Sequence, residues 1–336
     1  MVNMVLNFRH LMAMSDNYGL FEHANFNIPR REHGYCVDDV ARALIVLERS
    51  QKWSSRVFGL RDTYFKFISD AQMSDGRVIN RCDADGKWSN NPEIADHWGR
   101  ALWAFGTVVN RSTNAYLAEV ALERFAVSAD HRTHHVRSMV YASLGAAEVL
   151  RRMPHNKQAQ AILADCIEMI RPVANSEWPW PEQRLTYSNG AIPEVLMFGG
   201  HFLHRPELIT QGAGLLKWLV DIESVGDQYS VTPTSGWTLN QTRPSFDQQP
   251  IEVAALVDAC ATAFELTNDR TWLTYLGRGA SWFAGRNDSQ VQMYDPATGA
   301  GFDGLTPLGR NENQGAESTL CYLSVAQRRR SYLGAI

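Results

Sequence analysis

Six times along this chain, a short polar or glycine-containing entrance leads into a helix-length run that is apolar on nearly every side. Asp38-Asp39 leads into VARALIVL, and Asp96-His97-Trp98-Gly99-Arg100 into ALWAFGTVV. Val136-Arg137-Ser138 leads into MVYASLGAAEVL, and Tyr187-Ser188-Asn189-Gly190 into AIPEVLMFGGHFL. Gln249-Pro250-Ile251-Glu252 leads into VAALVDACATAFEL, and Gly315-Ala316-Glu317-Ser318 into TLCYLSVAQ. The segments recur roughly every 40 to 65 residues, a spacing that calls for a repeat architecture. A helix that is apolar all round must be surrounded by protein.

Between these runs lie amphipathic stretches such as SSRVFGLRDTYFKFISDAQ, NAYLAEVALERFAVSA, NKQAQAILADCIEMIRPV, ELITQGAGLLKWLVDIES and TWLTYLGRGASWFAG. Each has one charged face and one apolar face, as an outward-lying helix does. Alternation of the two kinds predicts an all-α (α/α)6 toroid, with six inner and six outer helices in one catalytic domain spanning residues 1–336. Inner helices are expected to begin near Asp38, Asp96, Arg137, Asn189, Ile251 and Ala316. The competing shape is an α-solenoid array, against which the polar entrances argue. Period-two runs are scarce, and hairpins are expected only near Arg77–Trp88 and Gln228–Trp237.

The composition narrows the function classes. The apolar fraction is 45 %, the charged fraction 20 % and the net charge −4, which fits a globular protein and not a nucleic-acid binder. No run of about 18 apolar residues suggests a membrane span. The N-terminus makes a poor signal peptide. Cys36, Cys82, Cys166, Cys260 and Cys321 are scattered without a CxxC spacing, so free thiols in a reducing, cytoplasmic setting are expected and a structural zinc is not. No cofactor or metal is expected. Nothing in the motifs bears on oligomeric state.

In a toroid the inner entrances share one end and make a bowl there. Tyr35, Asp38, Asp39, Asp96, His97, Tyr187, Asn189, Gln249, Glu252 and Glu317 all fall at entrances, and the long connections are rich in Trp, Tyr, Asn, Asp and Gly. Aromatic faces stack on sugar rings and nearby amides and carboxylates bond hydroxyls, so the bowl suits an oligo- or polysaccharide.

The stretches GYCVDDVARAL, DGRVINRCDADGKW, WPWPEQRLTYSNGAIPEVL, QQPIEVAALVDAC and NQGAESTL, in that order, resemble the (α/α)6 carbohydrate-active domain that occurs alone or beside glycosyltransferases. The resemblance runs from about Asp16 to about Gln327. It implies a glycoside hydrolase with an acid/base pair drawn from the helix entrances, and inversion at the anomeric carbon. The arginine-rich, stand-alone form further resembles an intracellular endo-acting α-mannosidase, which implies an α-mannan-type substrate.

Glycoside hydrolysis needs one carboxyl to protonate the leaving oxygen and another to act as nucleophile or activate water. Asp38 and Asp39 also suit a helix first turn as caps, although two adjacent aspartates exceed what a cap needs. The expected division makes Asp39 the base and Asp38 the cap, with the reverse open because one step on a helix turns a side chain by about 100°. Arg42 is placed to pair with one of them. Glu252 is either the acid or a complement to the helix dipole. Glu317 is the next candidate, and Glu317 with Asp38 the next pair. Asp96 and Glu194 read as sugar ligands or structural partners, and Asp83 and Asp85 as turn residues. Trp88, Trp178, Trp180 and Trp237 are either stacking platforms or loop packing, whereas Trp98 and Trp103 read as core. His97 is placed to bond a hydroxyl or a carboxylate, and HRTHH reads as a solvated connection. The rivals are a sugar epimerase using histidines such as His97 and His201, a terpene cyclase lacking most of its metal motif, and a non-catalytic glycan-binding module.

Overall fold

A computed structural model describes residues 4–50, 55–89, 91–175 and 177–332. Among them are twelve α-helices: α1 Arg9–Ala13, α2 Val37–Arg49, α3 Ser55–Ala71, α4 Asp96–Arg111, α5 Ala115–Ser128 and α6 Val136–Arg152, followed by α7 Lys157–Ile170, α8 Ala191–Phe202, α9 Pro206–Ile222, α10 Pro250–Thr267, α11 Thr271–Phe283 and α12 Ala316–Ser331. The β-structure consists of short antiparallel pairs of two or three residues each. No described helix is long and apolar enough to cross a membrane. All five cysteines are buried free thiols.

The two expected helix classes separate by burial. Every residue from Arg137 to Leu150 on α6 is buried, as is every residue from Ala191 to Gly200 on α8. On α5 only Leu117, Ala121, Phe125 and Ser128 are buried, a single stripe at helical spacing. Fully burying one Leu, Val or Phe is worth about 1.5–3 kcal/mol, so the all-round apolar helices hold the core. The inner helices begin within two residues of their expected starts, at Val37, Asp96, Val136, Ala191, Pro250 and Ala316. Local chemistry sets the boundaries. Asn114 Oδ1 accepts from the Leu117 backbone N–H (3.2 Å) to cap α5, Pro250 opens α10, and Asn268 ends it in a left-handed conformation.

The chain forms two compact units, one comprising residues 11–169 and the other residues 1–10 with 170–336. In the first, α4 packs on α2 and α6, with α3 against α2 and α5 against α4. The α4–α6 seam is made by glycine: a Cβ on Gly106 would overlap the Gly145 carbonyl, and a Cβ on Gly145 would overlap the Leu102 carbonyl. In the second unit, α10 packs on α8, α11 and α12, and α9 on α8.

The hairpins differ in part from expectation. Asp83 Oδ1 accepts from the N–H groups of Asp85 (3.0 Å) and Lys87 (2.9 Å), which closes the DADGK turn and brings Cys82 against Trp88. The second hairpin pairs Ser224–Val225 with Gln228–Tyr229 around Gly226-Asp227, so it lies earlier than Gln228–Trp237. Trp237 instead bridges to Leu185.

Candidate active site

In the first unit the entrance to α2 is built on a two-residue ladder. Tyr35–Cys36 runs antiparallel to Arg81–Cys82. The Val37 N–H, first of the helix, donates to the Asn80 carbonyl (2.9 Å) and to Asn80 Oδ1 (3.1 Å). The helix start is therefore capped across the ladder by Asn80, and the N-cap residue Cys36 makes no side-chain cap bond. This corrects the expectation that Asp38 is the cap.

Asp38 and Asp39 point in different directions, as adjacent helical residues must. Asp39 is 4 % exposed. Its Oδ1 pairs with Arg42, and its Oδ2 accepts from the Cys36 thiol at 3.2 Å. Asp38 is half-buried, with a side chain 22 % exposed. Asn80 Nδ2 donates to its Oδ2 at 3.1 Å, and Arg100 Nε lies 3.3 Å from its Oδ1. Arg100 stacks its guanidinium 3.8 Å from the centre of the Tyr141 ring, which fixes the charge beside Asp38. The accessible carboxylate of the pair is thus Asp38, and Arg42 belongs to Asp39.

The other entrance residues of this unit are tied into the frame. Tyr35 is fully buried and its hydroxyl donates to Asp16 (2.7 Å). Asp96 accepts from the Ser138 hydroxyl (2.8 Å), joining α4 to α6. His97 is buried, and its Nε2 meets the Val78 carbonyl at 2.9 Å, so that nitrogen donates to backbone. Tyr35 and His97 are therefore bonded into the frame of this unit. Trp88 is half-buried, its ring 4.9 Å from that of Phe67.

Glu22, Cys36 and Asp39 bring ligand-type atoms within 4.8 Å of one another. The set is a poor cation site. Arg81 pairs with Glu22 and Arg42 with Asp39, and burial together with Asp39 pushes the Cys36 thiol well above its ordinary range, so it stays protonated.

In the second unit Glu252 is 3 % exposed. Its Oε1 accepts from the Ser188 N–H, and its Oε2 from the N–H (3.1 Å) and side-chain amide (2.9 Å) of Asn189. Asn189 Oδ1 in turn accepts from the Thr186 N–H at 3.1 Å. The carboxyl is held by a hydrogen-bonded turn. The turn fixes the orientation of the Glu252 carboxyl. Tyr187, beside it, is exposed. Glu194 is buried and accepts from the Thr262 hydroxyl (2.8 Å), a helix-to-helix bond between α8 and α10. Glu317 is half-buried in the first turn of α12. The acceptor for that helix entrance is Asp303, whose Oδ1 takes the Gly315 N–H (2.7 Å) and the Ser318 hydroxyl (2.9 Å).

The loop tryptophans form a cluster. Trp178 packs on Trp237 (5.5 Å) and Trp218 (5.4 Å), and Trp180 stacks on Trp218 (6.0 Å). Trp180 is 1 % exposed and Trp237 is also buried. Trp180 and Trp237 are loop packing, the second of the two expected readings, because α9 supplies a fourth indole that the loops cover. Trp178 stays half-buried.

Three polar residues escaped the sequence reading. Gln248 is fully buried and bonds Asp288 (2.6 Å), the Ser245 carbonyl (2.7 Å) and the Trp282 indole N–H (3.2 Å). Its neighbour Gln249 is the half-buried residue preceding α10. Glu48 and Glu223 are buried, and desolvation pushes each carboxyl up to about 7. Glu223 bonds the N–H and hydroxyl of Thr232, both at 2.5 Å. Neither stands out in sequence, since Glu48 is followed by Arg49 and Ser50 and Glu223 lies between Ile222 and Ser224.

No family model and no curated protein sequence matches the chain. Solved structures do. A sugar epimerase from a ruminal bacterium superposes with a TM-score of 0.73 at 10 % identity, covering 96 % of this chain and 95 % of the other. The cellobiose 2-epimerase of Spirochaeta thermophila superposes at 0.69 and 11 % identity, covering 96 % and 93 %. An α-amylase from Clostridium perfringens superposes at 0.60 and 11 % identity, covering 96 % and 95 %. These likenesses show that the fold is the (α/α)6 toroid.

Proposed function

We propose that the chain is a glycoside hydrolase in which Asp38 is the base that activates water; that Glu252 is the acid that protonates the leaving oxygen is proposed from the sequence alone. The observation that carries this reading is the Asp38 carboxylate. It is part-exposed at the entrance of an inner helix, held by Asn80 on one side and by Arg100 on the other. A base for water needs a fixed, accessible anion, and Asp39, enclosed by Arg42 and Cys36, is not placed to serve. This reverses the division of labour expected from the sequence. The same fold carries a hydrolase, the Clostridium α-amylase. Inversion is proposed from the sequence resemblance, as is the finer reading: an intracellular endo-acting α-mannosidase like the mycobacterial methylmannose polysaccharide hydrolase. The test is incubation with α- and β-linked oligosaccharides, including methylated α-mannans, with NMR of the product anomers. Fresh reducing ends of inverted configuration support the proposal. Intact substrates throughout the panel refute it.

A second reading, a sugar epimerase, is favoured by the likeness to two epimerases. Epimerisation at C2 by histidine acid/base chemistry needs imidazoles facing the sugar. His97 is committed to the Val78 carbonyl. His201 is exposed in the last turn of α8, and His134 and His135 are exposed just before α6. The same NMR experiment separates the readings, since an epimerase returns a C2 epimer with no new reducing end.

A further inference from the structure

A cleft of about 180 Å³ lies in the first unit, lined by Tyr18, Lys66, Phe67, Asp70, Gly86 and Trp88 among others. One wall is a single stripe of α3, because Thr63, Lys66, Phe67 and Asp70 are spaced to share a helix face. The DADGK turn contributes Gly86 to the lining. Gly86 has φ +84°, and a Cβ there would stand 2.9 Å from Tyr18 Cε1, so the turn backbone lies directly on the tyrosine ring. Tyr18 is 54 % exposed, yet its position is fixed. Asp16 Oδ1 accepts from the N–H groups of Tyr18 (2.8 Å) and Gly19 (3.2 Å), and Tyr35 anchors Asp16.

The lining says what fits. Tyr18, Phe67 and Trp88 offer apolar ring surface. Lys66 and Asp70 form an exposed ion pair, so the rim offers both donors and acceptors while its charges cancel. A phosphate or other anion would find no net positive charge. A purely apolar ligand would leave the polar rim unmatched. The volume is below the 300–1,000 Å³ typical of drug-sized sites, which limits the occupant to about one ring.

We propose that this cleft is a non-catalytic subsite for one pyranose unit of a polysaccharide, with the ring stacked on Trp88 and Tyr18 and its hydroxyls on Lys66 and Asp70. The proposal rests on the carbohydrate reading above and extends it. Cys82 lines the cleft, and Asn80, two residues earlier, holds Asp38. One short segment therefore serves both places, and a sugar chain lying along it would be gripped beside the base.

The test reads binding, not turnover. The Asp38→Asn variant is labelled with 5-fluorotryptophan, and the Trp88 line is assigned by its loss on Trp88→Phe. It is titrated with mannotetraose, maltotetraose and cellotetraose. The expected result is a saturable shift of the Trp88 line with at least one of them. Lys66→Met with Asp70→Asn should weaken that binding roughly three- to tenfold; both side chains are at the surface, so the fold is not at risk. A Trp88 line unmoved by all three sugars overturns the subsite, and an unchanged affinity in the double variant overturns the role of its rim. If wild-type protein cleaves no sugar while Trp88 still shifts, the subsite stands and the hydrolase reading fails. Cleavage with an unmoved Trp88 line has the opposite meaning.

Discussion

Replacing Glu252 by glutamine separates orientation from chemistry. Three N–H donors converge on the two oxygens of this buried carboxyl. Glutamine keeps the shape but replaces one oxygen by an NH2 group, which cannot accept. In the better of its two orientations, the remaining oxygen takes both Asn189 donors and the NH2 group faces the Ser188 N–H. One buried donor is left unsatisfied, at a cost of roughly 1–3 kcal/mol. At about 2–4 °C per kcal/mol in a domain of 150–250 residues, the unfolding midpoint falls by about 2–12 °C. Alanine strands all three donors, roughly 3–9 kcal/mol by the same reckoning. That loss is comparable with the total stability of a domain, about 5–15 kcal/mol, so the alanine variant is not a usable test of catalysis. Calorimetry of the wild type and Glu252→Gln gives the structural part. Oligosaccharide cleavage well below both midpoints gives the chemical part, where removal of the acid should cost about 10²–10⁴-fold. A midpoint within roughly 1 °C of wild type would refute the hydrogen-bond account. Cleavage at the wild-type rate would remove Glu252 from the mechanism and bring Glu317 forward as the acid.

Asp38→Asn should lower cleavage by about 10²–10⁴-fold when assayed below its own midpoint, which should also fall because the buried Arg100 loses its ion pair. Asp39→Asn should lower the urea midpoint, because a buried carboxylate that pairs with Arg42 and accepts from Cys36 is lost, while cleavage below that midpoint should be far less affected than in Asp38→Asn; equal rates in the two variants would sink the assignment. Burial raises the Glu48 and Glu223 carboxyls to about 7 from the ordinary 4.5. Between those values the folded chain holds protons that the unfolded chain has lost, so stability should fall as pH rises from about 4.5 to about 7. Glu223→Gln, which preserves an acceptor and a donor for Thr232, should flatten that slope in midpoint-against-pH measurements. Chelation should leave cleavage unchanged, since the cations beside Glu22 and Asp39 are arginines; loss on chelation with rescue by a divalent ion would show otherwise.

The helical frame was legible because its signal is carried by many residues at once. An apolar run such as MVYASLGAAEVL can only be enclosed, and α6 is. The first turns were legible too, since polar entrances mark where such runs begin. Side-chain direction was not. Asp38 and Asp39 differ by one step of a helix, and their roles depend on Asn80 and Arg100, which reach them from other segments. The tryptophans show the same limit. Nothing in WPW states that Trp218, on α9, waits to pack against Trp178 and Trp180. Gln248 and Gln249 are alike in sequence, yet one is a fully buried junction and the other precedes a helix. Such distinctions arise from contacts between distant segments, which local pattern does not carry.

The glycine seam between α4 and α6 bears on how such a protein can change over generations. Where side chains meet, a new residue can be absorbed by its neighbours' rotamers. At Gly106 and Gly145 main chain meets main chain, and no rotamer is available to give way. Any larger residue there must prise two core helices apart, and with them the Asp96–Ser138 and Arg100–Tyr141 contacts near their N-terminal ends. Permission to vary is thus shared out unequally: broad on the outer face of α5, nearly nil on a few square ångströms of seam. Inheritance can rewrite most of the text while those two letters stay fixed.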